Sequence, residues 1–153
     1  MKSPNDVVLP EFGLVSCAAL HTLSPRRVAG DCVSFDGVEL AVFPEIESDG
    51  TKRLIVLSRD GEAIIERIGS RYRYTMERGD PLRLAGPITE LQASLVRESL
   101  LAPVAEDGSI EDRALFDATV ESEYPDPLDR LWRALDGLFV HPPSVLLSLE
   151  DRV

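Results

Sequence analysis

The stretch from Tyr124 to Leu149 constrains the fold most, because a strong helix pattern runs directly into a strand pattern. Asp126 and Pro127 predict a helix start, since an aspartate carboxylate caps free backbone N–H groups and proline suits the first helical position. Pro142-Pro143 cannot continue a helix. Residues 144–149 are apolar and predict a buried strand, in a sheet covered on both faces. The helix presents one apolar stripe, formed by Leu128, Leu131, Trp132, Leu135 and Leu138.

Three Asp-Gly pairs organise the first half of the chain, at residues 36–37, 49–50 and 60–61. Asp-Gly accepts the positive φ that tight hairpin turns demand, so each pair predicts a turn between two strands. The strand-like runs predict an antiparallel meander of about five strands. These runs are residues 32–35, 38–43, 52–58, 62–68 and 71–76, the last with strict alternation of apolar and polar side chains.

The remaining segments complete a mixed α and β (α+β) domain. Residues 6–9 predict a short strand, residues 14–20 fit either a buried strand or a helical turn, and residues 24–27 predict a loop. A helix is expected from Pro87 to about residue 101, and another after Ser109, which resembles a capping residue. With the helix after Asp126 these make three helices, followed by the final buried strand. We expect one domain over residues 1–153, either complete or a piece of a larger α/β domain.

The composition limits the partners of this chain. Of its 153 residues, 27 are acidic and 16 basic, which gives a formal net charge of −11. This charge disfavours nucleic acid and anionic membranes as partners. The first residues lack the apolar core of a signal peptide, and Cys17 and Cys32 lie in apolar surroundings that predict buried, reduced thiols. We therefore expect a cytoplasmic protein.

No complete active site is visible, and we predict no catalytic, cofactor-binding or metal residue. His21 and His141 are expected to be loop or edge residues, and no CxxC or HExxH motif provides zinc ligands. Cys17, Cys32 and His21 could form a metal site only if the tertiary fold brought them together. Ser144 lies near His141, but no G-x-S-x-G motif surrounds it.

A carboxylate alternation at Glu45, Glu47 and Asp49 resembles the start of a calcium loop. Such a loop needs a bidentate glutamate at its twelfth position, which here is Val56 in a predicted strand. We therefore predict a solvated hairpin tip.

Residues 106–129 are the most acidic part of the chain. Their charge predicts either a solvated helix face or an acidic surface for a basic protein partner. A metal bound by Asp107, Asp112 and Asp126 is left open. Nine acids stand here against Arg113 alone: Glu106, Asp107, Glu111, Asp112, Asp117, Glu121, Glu123, Asp126 and Asp129.

Three sets of residues also occur in a suggestive order: Gly61-Glu62-Ala63-Ile64-Ile65 with Tyr72-Arg73-Tyr74, then Gly79-Asp80-Pro81-Leu82, then Tyr124-Pro125-Asp126-Pro127 through Ser148-Leu149-Glu150-Asp151. In that order they resemble the middle of bacterial proteins of the alkaline phosphatase superfamily, of the type I phosphodiesterase/nucleotide pyrophosphatase-like kind. The resemblance covers about residues 33–153.

The resemblance implies an α/β sandwich in which Asp and His hold two metals and a Ser or Thr is the nucleophile. In such sites the metals stabilise the attacking and leaving oxygens. No Asp-His pair occurs here, so no catalytic residue is carried over. Under this hypothesis the chain is a partial or divergent phosphodiesterase-like segment with a structural or substrate-cap role. The catalytic residues and divalent metals of that hydrolase would lie outside the chain.

The alternative is a stand-alone acidic protein-binding module without catalysis. The two hypotheses differ in expected solution behaviour. A truncated piece should expose an apolar patch and self-associate, whereas an intact module should be monodisperse.

Overall fold

The computed structural model describes residues 7–9, 16–98, 104–136 and 141–150. The described strands are β1 (Val7–Leu9), β2 (Cys17–His21), β3 (Val38–Ile46), β4 (Lys52–Leu57), β5 (Glu62–Ile68), β6 (Arg71–Arg78), β7 (Ile110–Glu111) and β8 (Val145–Leu149). The described helices are α1 (Pro25–Cys32), α2 (Ala85–Glu98), α3 (Asp112–Thr119) and α4 (Pro127–Leu135). The mixed α and β class is confirmed.

The eight described strands form one antiparallel sheet in the order β1-β2-β8-β3-β4-β5-β6-β7. The last strand along the chain, β8, therefore lies inside the sheet, between β2 and β3. Val145 and Leu147 of β8 are buried on one face, and Leu146 packs against the core on the other. The predicted final strand is confirmed as one covered on both faces.

The meander has four strands, β3 to β6, rather than five. Residues 32–35 close α1 and turn, since the Val33 and Phe35 N–H groups donate to the Ala29 and Cys32 carbonyls. The loop predicted at residues 24–27 is also wrong, because Pro25 occupies the first turn of α1. The described helices consequently number four rather than three. The ambiguous run at 14–20 becomes strand β2 from Cys17 onward.

The hairpin turns use glycine in two different ways. Gly50, between β3 and β4, has φ +86°, which an L side chain rarely adopts. Gly61, between β4 and β5, has no such torsion but is closely packed. A Cβ there would lie 2.8 Å from the Ser58 hydroxyl oxygen and 3.1 Å from the Arg78 carbonyl oxygen. Glycine is thus required for its backbone torsion in the second Asp-Gly pair and for its small size in the third. Both turns lie where the sequence predicted them.

Both faces of the sheet carry a hydrophobic core. On one face, Leu128, Trp132 and Leu135 of α4 pack on the central strands together with side chains from α2 and α3. On the other face, Ala29 and Val33 close the core around Phe43. Each fully buried large apolar side chain contributes about 1.5–3 kcal/mol, so these two layers supply most of the stabilisation.

The predicted start of α4 at Asp126-Pro127 is confirmed, but two predicted capping interactions are wrong. Asp126 precedes α4 but adopts a left-handed conformation with φ 46°, and its side chain makes no capping hydrogen bond. Ser109 does not cap α3, which Glu111 precedes, because the Ser109 hydroxyl accepts a hydrogen bond from Arg71. Leu138 and residues 99–101 lie outside the described residues, so the predicted ends of their helices are not assigned.

Among the described helices, none combines the length and the apolar character that crossing a membrane requires.

Candidate binding site

An apolar cleft of about 360 Å³ lies between α4 and the sheet. Leu40 and Val42 of β3 form its floor, and Leu131 and Ala134 of α4 form one wall. The volume falls within the range of about 300–1,000 Å³ typical of ligand pockets, at its lower end. Further lining comes from Ser16, Cys17, Leu82, Glu123, Tyr124, Pro125, Pro127, Arg130, Leu146, Leu147 and Ser148.

The helical period of α4 explains its wall. Leu128, Trp132 and Leu135 point into the core, which leaves Leu131 and Ala134 on the flank of the helix. Since these two residues are three apart, they lie on the same side of α4. The stripe predicted from the sequence is therefore divided between the core and the cleft.

A β-bulge brings a carboxylate to the cleft. The pairing of β3 with β8 shifts register between Val38 and Leu40, so Glu39 is the extra residue. Glu39 lies on the same side as the cleft, because its carboxylate accepts hydrogen bonds from the hydroxyls of Tyr124 and Ser148, which both line it. The Ser148 bond measures 3.4 Å from Oγ to Oε2.

The Tyr124 phenol is held in its protonated form. Burial raises the pKa of Tyr124 well above its ordinary value, and the hydrogen bond to Glu39 raises it further. The phenol is consequently a fixed hydrogen-bond donor to the Glu39 carboxylate, which has no ion-pair partner in the described part of the chain.

The rim of the cleft carries charges of both signs. Glu123 forms an ion pair with Arg83. Arg130 is exposed and donates to the Pro125 carbonyl oxygen at 3.3 Å. The polar groups of the cleft are thus arranged around an otherwise apolar space.

The acid-rich segment 106–129 is distributed between surface and interior. Asp129 is only 7% exposed, and its carboxylate accepts the Tyr72 hydroxyl at 2.9 Å and pairs with Arg133 at 2.6 Å. Asp112 and Asp126 are half-buried. The exposed members are Glu106, Asp107, Glu111, Asp117, Glu121 and Glu123.

Two large apolar side chains are exposed within this acidic segment. Phe116 is 38% exposed and Val120 is 46% exposed, one helical turn apart at the outer side of α3. The Arg113 guanidinium lies 5.4 Å from the centre of the Phe116 ring and pairs with Asp117. We call Phe116, Val120 and the exposed acids of residues 106–129 the acidic face.

Of the three aspartates considered as metal ligands, Asp107, Asp112 and Asp126, the structure brings only two near each other. The structure brings Asp112 and Asp126 near Asp129, whereas Asp107 accepts the Ser109 N–H in a turn. Within the described ranges no group of three or more His, Cys, Asp or Glu side chains could hold a metal ion. Burial, followed by the neighbouring carboxylates, raises the pKa of Asp126.

The remaining candidate residues stay apart. His141 is exposed and His21 is half-buried at the end of β2. Both cysteines are free thiols. Cys17 is exposed, so its predicted burial is wrong. Cys32 is partly buried, and this burial raises the pKa of its thiol. Cys17 points toward the cleft because β2 has its alternate residues on that side.

The calcium-like loop is a hairpin tip, as predicted. Glu45 and Glu47 both pair with Arg53, and Asp49 accepts the Thr51 N–H at 2.8 Å. The hydrogen bonds from Thr51 lower the pKa of Asp49.

Glu39, Tyr124 and Ser148 are the site residues that sequence reasoning missed. Tyr124 lies 85 residues from Glu39, and Ser148 lies 109 residues from it. No spacing pattern links positions so far apart, and the bulge that re-aims Glu39 has no signature in the local sequence.

In comparisons with known proteins, the chain matches no family model, no curated protein and no solved structure. The resemblance to the alkaline phosphatase superfamily therefore stays a prediction.

Proposed function

We propose that this protein is a binding module without catalysis, and that its acidic face recognises a basic protein partner. One observation carries the proposal: Phe116 and Val120 expose apolar surface in the middle of the most acidic segment of the chain. Protein interfaces commonly combine an apolar centre, often aromatic, with a polar rim.

The charges around these two side chains favour a cationic partner. Glu106, Glu111 and Glu121 are exposed and form no ion pair with the described residues. Most described arginines are already engaged by carboxylates or carbonyl groups within the chain, as Arg113 is by Asp117. The acidic face thus keeps an excess of negative charge, which steers positively charged partners and repels acidic ones.

The test is affinity purification from cells of the native host at low salt, followed by measurement of Kd for each captured protein with purified components. We expect a partner with a basic surface whose affinity falls as salt rises, because exposed charges are screened. A variant with Phe116→Ser and Glu121→Gln should bind it about tenfold more weakly or worse, since truncated hot spots typically lose more than about 1 kcal/mol.

The matched control carries Ile46→Ser and Asp60→Asn. Ile46 is 65% exposed and Asp60 is exposed, so the control removes the same kinds of groups elsewhere on the surface. We expect its Kd to equal that of the wild type. If both variants raise the Kd equally, or if the Kd does not change with salt concentration, specific binding at the acidic face is contradicted.

A further inference from the structure

We propose that the peptide bond between Asp126 and Pro127 is a self-cleavage site, at which the Asp126 side chain cuts its own backbone. The chain contains two Asp-Pro bonds, Asp80-Pro81 and Asp126-Pro127. Such a bond hydrolyses more readily than other peptide bonds, because the proline nitrogen belongs to a tertiary amide and leaves easily once it takes up a proton. The structure distinguishes the two bonds by how it holds each aspartate carboxyl group.

The Asp80 carboxylate is held by three donors. Its Oδ1 atom accepts the Tyr74 hydroxyl at 2.9 Å and the Leu84 N–H at 3.1 Å. Its Oδ2 atom accepts the Ala85 N–H, the first of α2, at 2.8 Å. Attack on the Asp80 carbonyl carbon would require the carboxylate to leave these donors, so the fold protects this bond.

The Asp126 carboxyl group is not held in this way. It is half-buried, its Oδ1 atom has no hydrogen-bond partner in the described structure, and it makes no capping bond to α4. The backbone at this residue is fixed instead, since the Asp126 N–H donates to the Thr119 hydroxyl at 3.1 Å and φ is 46°. A left-handed conformation costs a non-glycine residue free energy, which cleavage releases.

The scissile carbonyl group of Asp126 is polarised by α4. Its oxygen accepts the Arg130 N–H at 3.3 Å, at the positive end of the helix dipole. A donor in this place stabilises the negative charge that develops on the oxygen during attack. Pro127 has no N–H, so ring closure through the following amide nitrogen is barred and attack by the carboxyl oxygen is the remaining route.

The reaction starts from the protonated Asp126 carboxyl group and consumes one water molecule. A carboxyl oxygen forms a bond to the Asp126 carbonyl carbon, and the carboxyl proton passes to the Pro127 nitrogen. The bond between that carbon and that nitrogen then breaks, and its electron pair stays on nitrogen. The products are a cyclic anhydride at Asp126 and a free amino terminus at Pro127. Water opens the anhydride into two carboxyl groups.

The charges around Asp126 favour the protonated form that this step needs. Asp129 of α4 and Asp112 of α3 add negative charge near it, whereas Arg130 and Arg133 of α4 partly oppose them. Burial is the largest effect, followed by the two carboxylates, and together they raise the pKa of Asp126. The reactive form therefore persists to higher pH than in the unfolded chain, where the pKa of an aspartate is about 3.9.

Cleavage leaves a two-chain form of the same fold. The fragment that begins at Pro127 contains α4 and β8, and β8 pairs with β2 and β3 inside the sheet. Leu128, Trp132 and Leu135 hold the same fragment in the core. The cut thus frees the junction between the acidic face and α4 without removing either from the protein.

The experiment incubates the purified full chain at about pH 5 and measures the fragments over time by mass spectrometry under denaturing conditions. Circular dichroism checks that the chain stays folded, and a parallel sample is kept unfolded in guanidinium chloride. We expect the folded chain to be cut after Asp126 about tenfold faster than after Asp80. In guanidinium the two bonds should break at similar rates, because both carboxyl groups are then free.

Three variants test the roles of the carboxyl group and its neighbour. Asp126→Asn removes the acidic proton and should abolish the cut at this bond, and Asp126→Glu, which moves the carboxyl group one carbon further away, should slow it if the first variant does not fold. Asp112→Asn removes a neighbouring negative charge, so the pH profile of cleavage should shift toward lower pH. The matched control is Asp31→Asn at an exposed position of α1, which should leave the rate and the profile unchanged.

The comparison between folded and unfolded chain decides the matter. If the folded chain is not cut after Asp126, or is cut equally fast at both bonds, the proposal is overturned. It is also overturned if the preference for Asp126 is equally large in guanidinium, because the fold would then play no part. A pH profile that Asp112→Asn and Asp31→Asn shift equally would contradict the role assigned to the neighbouring carboxylate.

Discussion

At the scale of single residues, Asp126 combines several features that destabilise the folded state. Its φ of 46° is left-handed, which a non-glycine residue adopts at some energetic cost. Its Oδ1 atom is buried and has no hydrogen-bond partner in the described structure. Asp112 and Asp129 add negative charge nearby. Asp126 thus weakens the fold at neutral pH, at the junction between the acidic face and α4.

We predict that Asp126→Asn stabilises the protein by about 0.5–1.5 kcal/mol at pH 7, because asparagine tolerates the left-handed region and carries no charge to desolvate. The pKa of Asp126 is raised in the folded state, so protonation favours the fold. The wild type therefore gains stability as the pH falls through that pKa, and the advantage of the variant shrinks toward about pH 4. Urea unfolding across this range measures the difference.

Asp60→Asn is the control for this effect, because it removes an equal charge at an exposed position. We expect it to change the free energy of unfolding by less than about 0.5 kcal/mol at every pH. A stabilisation by Asp126→Asn that is equally large near pH 4 would contradict the assigned cause.

At the scale of secondary-structure elements, the end of α4 is fastened to the sheet by one lysine. Lys52 of β4 donates to the Leu135 carbonyl oxygen at 2.8 Å and to the Asp136 carboxylate at 2.7 Å. Its ammonium nitrogen also lies 5.2 Å from the centre of the Trp132 ring. A cation at a helix C-terminus offsets the negative end of the helix dipole, so Lys52 stabilises the helix that forms the cleft wall.

We predict that Lys52→Met destabilises the protein by about 1–2 kcal/mol, through loss of the helix-end and cation–π interactions. The hydrogen bond from Lys52 is the main cause of the lowered pKa of Asp136. A lowered pKa contributes stability above the unfolded value of about 3.9, and this stability is lost as the pH falls through the folded-state pKa. In the Met variant this acid-induced loss of stability should become smaller, because only the weaker effects of Trp132 and Arg67 on Asp136 remain, and pH-dependent urea unfolding can measure it.

Arg59→Met provides the comparison for Lys52→Met. Arg59 pairs with Asp36 at an exposed site, with both side chains more than half accessible. Exposed pairs of this kind are worth about 0–1 kcal/mol, so a much smaller effect is expected. If the two variants lose the same stability, Lys52 has no special role at the end of α4.

At the scale of the whole molecule, unbalanced charge is the dominant feature. The 27 acidic residues exceed the 16 basic ones, and many described arginines already form ion pairs. The remaining carboxylates repel each other across the surface, which weakens the compact state. The same excess of negative charge would attract a basic partner to the acidic face. Partner binding and the stability of the fold therefore both depend on this charge, in opposite directions.

We predict that adding salt stabilises the isolated protein. Raising the ionic strength from about 0.01 M to about 0.15 M shortens the screening length from about 30 Å to about 8 Å, which relieves long-range repulsion more than close pairing. We expect a gain of about 1 kcal/mol, or about 2–4 °C in Tm for a chain of this size. Thermal melting over a NaCl series provides the measurement.

A variant with Asp60→Asn and Glu77→Gln removes two exposed acids and should respond less to salt than the wild type. A Tm that falls as salt is added would mean that close ion pairs, rather than net repulsion, govern the electrostatic part of stability.

Local patterns predicted the strands best where neighbours in sequence are neighbours in space. Hairpin strands β3 to β6 follow from the Asp-Gly pairs and from the alternation at residues 71–76, because turn chemistry and side-chain period act over a few residues. Residues 32–35 were misassigned because a short apolar run fits a helix end as well as a strand. Local capping rules also failed at Asp126, where burial beside α3 and α4 outweighs the usual role of an aspartate.

By itself, the sequence determined the class of fold, most strands, the amphipathic α4 and the acidic character of residues 106–129. Only the tertiary structure decided that β8 inserts between β2 and β3, that Asp129 is buried, and that Glu39, Tyr124 and Ser148 meet at one cleft. The physical reason is the distance along the chain over which each effect acts. Turns and periodicity act between near neighbours, whereas strand order and burial depend on how the whole sheet covers both of its faces.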